Sequence, residues 1–205
     1  MLANLKITEY LEKAAAGTAV PGGGSVAALN ASLAAGLTEM VANLTIGKKG
    51  YEAFEEEMKD IAGKANELRE KLTAAIDRDA EAYREVMAAF KLPKATDQEK
   101  ELRKQEIQKA FKQAALVPLE VANDAVKVID LAGRAIDSGN KNAVTDGVVA
   151  AMNARTAALA ALYNVKINLV SIEDDEFVKE LTRKINDLEQ QAKSKEQAIL
   201  ASLKI

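Results

Sequence analysis

Apolar residues recur every three to four positions through five or six long segments of this chain, and only 3 prolines and 11 glycines interrupt 205 residues. That spacing is the period of an α-helix that buries one face. The segments fall at roughly 5–16, 25–46, 52–91, 98–137, 145–170 and 174–203, with a kink expected at Pro118. No period-2 stretch of useful length occurs, so the expected fold is all-α. The reading is a single-domain antiparallel helical bundle spanning 1–205. Segment ends carry matching chemistry: Ser25 and Thr145 are N-cap types, Gly47 and Gly139 are stop types, and Asp174-Asp175-Glu176 puts carboxylates at the positive end of the last helix.

Segments 52–91 and 98–137 alternate charged faces with one apolar stripe, as long outer helices of a bundle do. The other two long segments differ. Between Ser25 and Ile46 the only charged residue is Glu39, and between Asp146 and Ile172 only Asp146, Arg155 and Lys166 are charged. Both are rich in alanine, with Gly36 in the first. These two are expected to be the central helices, with backbones close together.

The absence of histidine and cysteine removes imidazole-based triads, thiolate nucleophiles, disulfides and the common zinc sites. Proton transfer then falls to Asp, Glu, Lys or Tyr. A net charge of -3, without long blocks of one sign, speaks against a nucleic-acid or anionic-membrane partner. The uncharged stretch from Ala14 to Thr38 is interrupted by Pro21 and three glycines, so it reads as a loop and a buried helix rather than a membrane span. The start, MLANLKITEYLEKA, lacks the apolar run of a signal peptide, and a cytoplasmic location is expected.

Three polar features stand out on apolar helices. Ser25, Ser32, Glu39 and Asn43 project within roughly 40° of one another, and Asp146, Asn153, Asn164 and Asn168 within about 60°. Such lines suit either a narrow ligand cleft or a helix-to-helix or dimer seam, and both readings stay open. The third is sharper: Asp79 lies inside the apolar stripe of segment 52–91, while Asp77 and Glu81 project outside it. A core-facing carboxylate is unfavourable unless it is paired, hydrogen-bonded or protonated, and burial raises its pKa toward the working range of a general base. A salt-bridged structural aspartate is the competing reading.

Pro21-Gly22-Gly23-Gly24-Ser25 precedes a helix, where glycines admit close backbone approach and free N–H groups favour an anion or an oxygen-rich ring. It lacks the pattern of a P-loop. Lys48 and Lys49, flanked by Gly47 and Gly50, can meet a carboxylate or remain ordinary surface charge. No metal-ligand spacing emerges.

Five ordered stretches, PGGGSVAALNASLAAGL, IDRDAEAYREVMAAFKLPK, AALVPLEV, GNKNAVTDGVVAA and YNVKINL, span nearly the whole chain. Together they resemble the cyclodeaminase/cyclohydrolase family of folate one-carbon enzymes. The resemblance implies an all-helical, dimer-forming fold, a tetrahydrofolate derivative as substrate, no metal and no prosthetic group. It assigns the catalytic role to Asp79, in the segment Asp77-Arg78-Asp79-Ala80-Glu81-Ala82-Tyr83. It assigns substrate binding to Pro21 through Ser25, to Thr145-Asp146 and to Asn164, Val165 and Asn168. Thr145 stands where relatives commonly have serine, and the hydroxyl is kept. Lys48 and Lys49 are expected to receive the glutamate tail.

The resemblance leaves two reactions. One is hydrolysis of 5,10-methenyltetrahydrofolate to 10-formyltetrahydrofolate, and the other is cyclisation of 5-formiminotetrahydrofolate with loss of ammonia. The expectation leans to the first, because no formiminotransferase domain is attached. A catalytically silent helical dimerisation protein is the alternative of a different class.

Overall fold

A computed structural model describes residues 1–203 and contains, among those residues, six α-helices and no strand. They are α1 (Ile7–Ala15), α2 (Gly23–Asn43), α3 (Glu55–Ala89), α4 (Asp97–Ser138), α5 (Val144–Leu169) and α6 (Asp175–Ser202). Short 3₁₀ turns at Leu2–Asn4, Glu52–Phe54 and Lys141–Ala143 join some of them. One apolar cluster draws residues from all six helices.

Alanine decides the centre. Ala27, Ala28, Ala31, Ala34 and Ala35 of α2 and Ala150, Ala151, Ala154, Ala157, Ala158 and Ala161 of α5 are fully buried, which lets the helix backbones pack closely. The second half of α4 shares that centre: from Ala114 to Ile136 most of its side chains are buried. In turn, α2 and α5 each keep one apolar edge in solvent, with Leu33, Val149, Met152, Tyr163, Ile167 and Val170 exposed. Helix α2 is long and apolar enough to cross a membrane by composition alone, but more than half of that stretch is buried within the bundle.

Three end expectations are corrected, the first being that α2 ends at Asn43 with Leu44 as its cap, so Gly47 lies in the turn that follows rather than at the helix end. Helix α2 begins at Gly23 with Gly22 as its cap, so Ser25 lies inside the first turn with its hydroxyl facing α3. Helix α5 begins at Val144 after Ala143, which places Thr145 in its first turn rather than at the cap. Other ends follow the sequence. Gly139 caps the end of α4, and the Asp174 side chain accepts from the Phe177 N–H at 3.1 Å.

Helix α4 runs through Pro118 as one helix. Proline has no N–H for the carbonyl of Ala114, four residues back. The Asn168 side chain of α5 takes that place, its Nδ2 donating to the Ala114 carbonyl at 2.9 Å.

Candidate active site

The α2 polar line is a seam. Ser32 Oγ lies 3.2 Å from the Arg69 carbonyl and 2.7 Å from Thr73 Oγ1, and Glu39 accepts from Arg69 Nε at 2.8 Å. Asn43 is exposed and takes no part. Only at its first member does the seam meet a carboxylate. The Ser25 hydroxyl lies 3.0 Å from both Asp79 Oδ2 and the Ile76 carbonyl.

Asp79 is half-buried and opens onto a cleft of about 400 Å³. One wall is the loop Ala19 to Gly24, a second is the α3 face of Ala80, Tyr83, Met87 and Phe90, and a third is Asn164, Ile167 and Asn168 of α5. Pro21 is buried behind the loop, in a cis peptide with Val20. Gly24 sits so close to Asp79 that a Cβ there would fall within the carboxylate. A Cβ on Gly23 would stand 3.3 Å from Asn164 Nδ2. Glycine is required at position 24 by this approach, not by a turn.

The two asparagines present acceptors. Asn164 Nδ2 donates to the Ala160 carbonyl at 2.9 Å, and Asn168 Nδ2 donates to the carbonyls of Ala114 and Asn164, both at 2.9 Å. Both N–H groups of Asn168 and one of Asn164 are committed to backbone oxygens, so each Oδ1 and the second N–H of Asn164 are left without a partner among the described residues. The first-turn N–H groups of α2 supply donors at the opposite wall. Removal from water raises the Asp79 carboxyl above its ordinary value, an effect reduced by hydrogen bonds from the Ser25 hydroxyl and backbone. The result is a single carboxylate in a largely apolar cleft, with hydrogen-bonding groups on both sides.

Asp77 faces away from this cleft. Its carboxylate accepts from the N–H groups of Leu2 (2.5 Å) and Ala3 (3.2 Å), tying the N-terminus to α3. Tyr10 is a residue that sequence reasoning misses. It is the one buried residue of α1, its hydroxyl is buried without a hydrogen-bond partner, and burial followed by the charges of Asp79 and Asp77 pushes the phenol up. Its signal is faint, because the exposed Ile7 and Leu11 share the same short helix.

Four expected site residues lie elsewhere in the chain. Lys48 and Lys49 follow α2 at its far end, where Asn140 N–H donates to Thr45 Oγ1 at 2.9 Å and Lys141 N–H donates to Tyr51 Oη at 3.0 Å. Thr145 (exposed) and Asp146 (half-buried) open α5 at that same end. Helix α5 carries Asp146 and Asn164 eighteen residues apart, about 27 Å along its axis. One chain therefore gathers Pro21 to Ser25, Asp79, Asn164 and Asn168, and leaves Lys48, Lys49, Thr145 and Asp146 at the opposite pole. Among the described residues no three metal-ligating side chains converge.

Residues 6–187 match the family described as formiminotransferase-cyclodeaminase. A methenyltetrahydrofolate cyclohydrolase of Methylorubrum extorquens is 37% identical over 204 residues, covering 100% of this chain and 98% of its own. Formimidoyltransferase-cyclodeaminase of Rattus norvegicus is 32% identical over 202 residues, and the chain spans 37% of that longer protein. The crystal structure of formiminotetrahydrofolate cyclodeaminase from Thermotoga maritima matches with a TM-score of 0.87 at 32% identity, over 97% of this chain and 96% of that one.

Proposed function

The chain belongs to the formiminotransferase-cyclodeaminase family of folate-processing enzymes, and on that premise we propose that it hydrolyses 5,10-methenyltetrahydrofolate to 10-formyltetrahydrofolate, with Asp79 transferring the proton. The observation that carries this reading is the lone carboxylate of Asp79 in an apolar cleft, in a chain matching a cyclohydrolase over its whole length.

The substrate carbon between N5 and N10 is part of a cationic amidinium. An ionised Asp79 attracts that cation and takes a proton from the attacking water. The adduct then opens: the bond from carbon to N5 breaks, Asp79 returns its proton to N5, and the hydroxyl proton leaves as the formyl group forms. Net, one water is consumed and one proton is released. The asparagine oxygens accept from pterin N–H groups, and the first turn of α2 donates to oxygen. The raised carboxyl suits a base that must also give its proton back.

Cyclodeamination is the second reading, favoured by the match to the Thermotoga maritima structure over nearly its full length. There Asp79 takes the N10 proton as N10 attacks the formimino carbon, then protonates the departing ammonia. Assay of the purified protein on both substrates tests the pair. Methenyl absorbance lost faster than the spontaneous rate, without ammonia from the formimino substrate, supports hydrolysis. Ammonia release with methenyl gain supports cyclodeamination, and neither activity rejects both.

The proposal places residues 1–205 in one helical domain, in the cytoplasm, needing neither metal nor prosthetic group. It also includes a homodimer in which a second copy covers the apolar edge of α2 and α5. That edge is continuous with the cleft wall at Ile167. A two-fold that lays these helices antiparallel on their counterparts carries the partner's Thr145-Asp146 end toward Asp79. Light scattering tests the dimer. Mixing inactive Asp79→Asn chains with inactive Asp146→Asn chains tests the sharing, because only a shared site regains activity.

A further inference from the structure

The Asp79 cleft extends along α3 past Tyr83 and Met87 to Phe90, where Phe111 of α4 closes it. The two rings meet edge to face, 6.0 Å between centres and 82° between planes. Over Phe90 stands Arg103. Its guanidinium lies 5.6 Å from the ring centre, and its Nε and Nη2 donate to the Phe90 carbonyl at 3.3 and 3.1 Å.

Among the described residues no carboxylate lies within 4.0 Å of that guanidinium. The acidic neighbours on its own helix are engaged elsewhere: Glu99 accepts from the N–H groups of Ala95 and Thr96, and Glu106 faces Lys109 at 3.9 Å. Lys91 and Lys94, in the turn between α3 and α4, likewise have no carboxylate within 4.0 Å. The other Lys and Arg side chains of α3 and α4 are ion-paired, which sets Arg103, with Lys91 and Lys94 in the preceding turn, apart as cations without a carboxylate partner among the described residues.

An arginine fixed by a ring below it and a carbonyl at one edge keeps its remaining N–H donors free in a known direction. Such an arginine caps the last carbonyl of α3 and still offers its remaining N–H donors to a carboxylate. Asp79 and Phe90 are eleven helical residues apart, about 16 Å along the axis. A ligand reacting at Asp79 with its aromatic middle along Tyr83, Met87 and Phe90 brings its far end to Arg103.

We propose that Arg103, flanked by Lys91 and Lys94, receives the glutamate carboxylates of the folate tail. This rests on the folate reading of the site. It places the tail contact beside Phe90 within one chain, whereas Lys48 and Lys49, at the far end of α2, reach the cleft only from the second copy of the proposed dimer, an arrangement the double variant below tests.

The test compares 5,10-methenyltetrahydrofolate with the same compound lacking glutamate, 5,10-methenyltetrahydropteroate. Arg103→Gln is expected to raise KM for the glutamylated substrate roughly tenfold or more, with kcat kept and the pteroate form unaffected. Arg103→Lys, which keeps the charge without the planar fork, should fall between. Added salt should raise KM more for the glutamylated form than for the pteroate form. Equal effects of Arg103→Gln on both substrates, or none on either, overturn the inference. So does a glutamate-dependent loss in Lys48→Gln/Lys49→Gln with Arg103→Gln silent. Absence of turnover of both 5,10-methenyltetrahydrofolate and 5-formiminotetrahydrofolate by the unaltered protein rejects the folate reading itself, a result distinct from any change confined to Arg103.

Discussion

The hydroxyl of Ser25 stands 3.0 Å from Asp79 Oδ2 and 3.0 Å from the carbonyl of Ile76, and it has one proton for the two. When Asp79 is ionised, that proton goes to the carboxylate. When Asp79 is protonated, its own O–H can donate to Ser25, which then donates to Ile76. Ser25 thus has a satisfied arrangement for each protonation state, as a carboxyl that accepts and returns a proton requires.

Ser25→Ala removes a donor that favours the ionised carboxylate, while burial, which opposes ionisation, stays. The acid limb of the kcat profile is expected to move to higher pH. A limb that stays in place or moves down would show that Ser25 does not tune Asp79.

Asp79→Asn is expected to lower turnover by roughly 10²-fold or more with folate binding largely kept, since the amide keeps the shape and contacts of the carboxyl but loses its proton transfer and its charge. A folded variant with near-normal turnover would reject Asp79 as the acid/base.

The same substitution changes stability with a defined sign. A carboxyl whose folded pKa is raised holds more protons folded than unfolded, so its contribution to stability falls as pH rises from the unfolded value through the folded one. Asp79→Asn should gain on the unaltered protein as pH rises from about 4, the unfolded value, towards neutrality, read as urea midpoints at each pH. A constant difference across that range would contradict the raised carboxyl.

Gly24→Ala puts a methyl group into the Asp79 carboxylate and should abolish activity while lowering Tm. Gly63, inside α3, has open space at its Cβ, so Gly63→Ala should leave activity intact and raise stability by about 1 kcal/mol. Active Gly24→Ala enzyme would mean that the loop and Asp79 do not approach so closely.

Asn168 and Pro118 should be coupled. Asn168→Ala leaves the buried Ala114 carbonyl without its side-chain donor, costing about 1–3 kcal/mol. In a Pro118→Ala background the restored N–H can take that carbonyl, and the same change should cost less. Urea denaturation of the four proteins gives the coupling directly, and additivity within about 0.5 kcal/mol would exclude the link.

Much of this is legible in the sequence because helical periodicity records burial. The six segments fall within a few residues of the observed helices, and Asp79 shows itself as a carboxylate on an apolar stripe. What one helix faces is not written in its own period. The line Ser25, Ser32 and Glu39 looks the same for a cleft or a seam, and only the position of α3 decides that it is a seam ending at a carboxylate. Ser25 resembles an N-cap because serine favours that position, yet Gly22 and Gly23 start the helix earlier and release the hydroxyl for a tertiary bond. Pro118 predicts a missing hydrogen bond but not the asparagine, fifty residues later, that replaces it. Arg103 carries no periodic signal at all; its meaning comes from the Phe90 ring beneath it.

The cleft joins residues 19–24, 79–90, 111 and 164–168, stretches that no local folding event can bring together. A ribosome must release most of α5 before the last wall exists, so the nascent chain carries a buried-type carboxylate with no enclosure for much of its synthesis. In refolding, long-range closure comes late. Recovery of catalysis therefore follows the docking of α5 rather than the appearance of helix, and the two signals should separate in time.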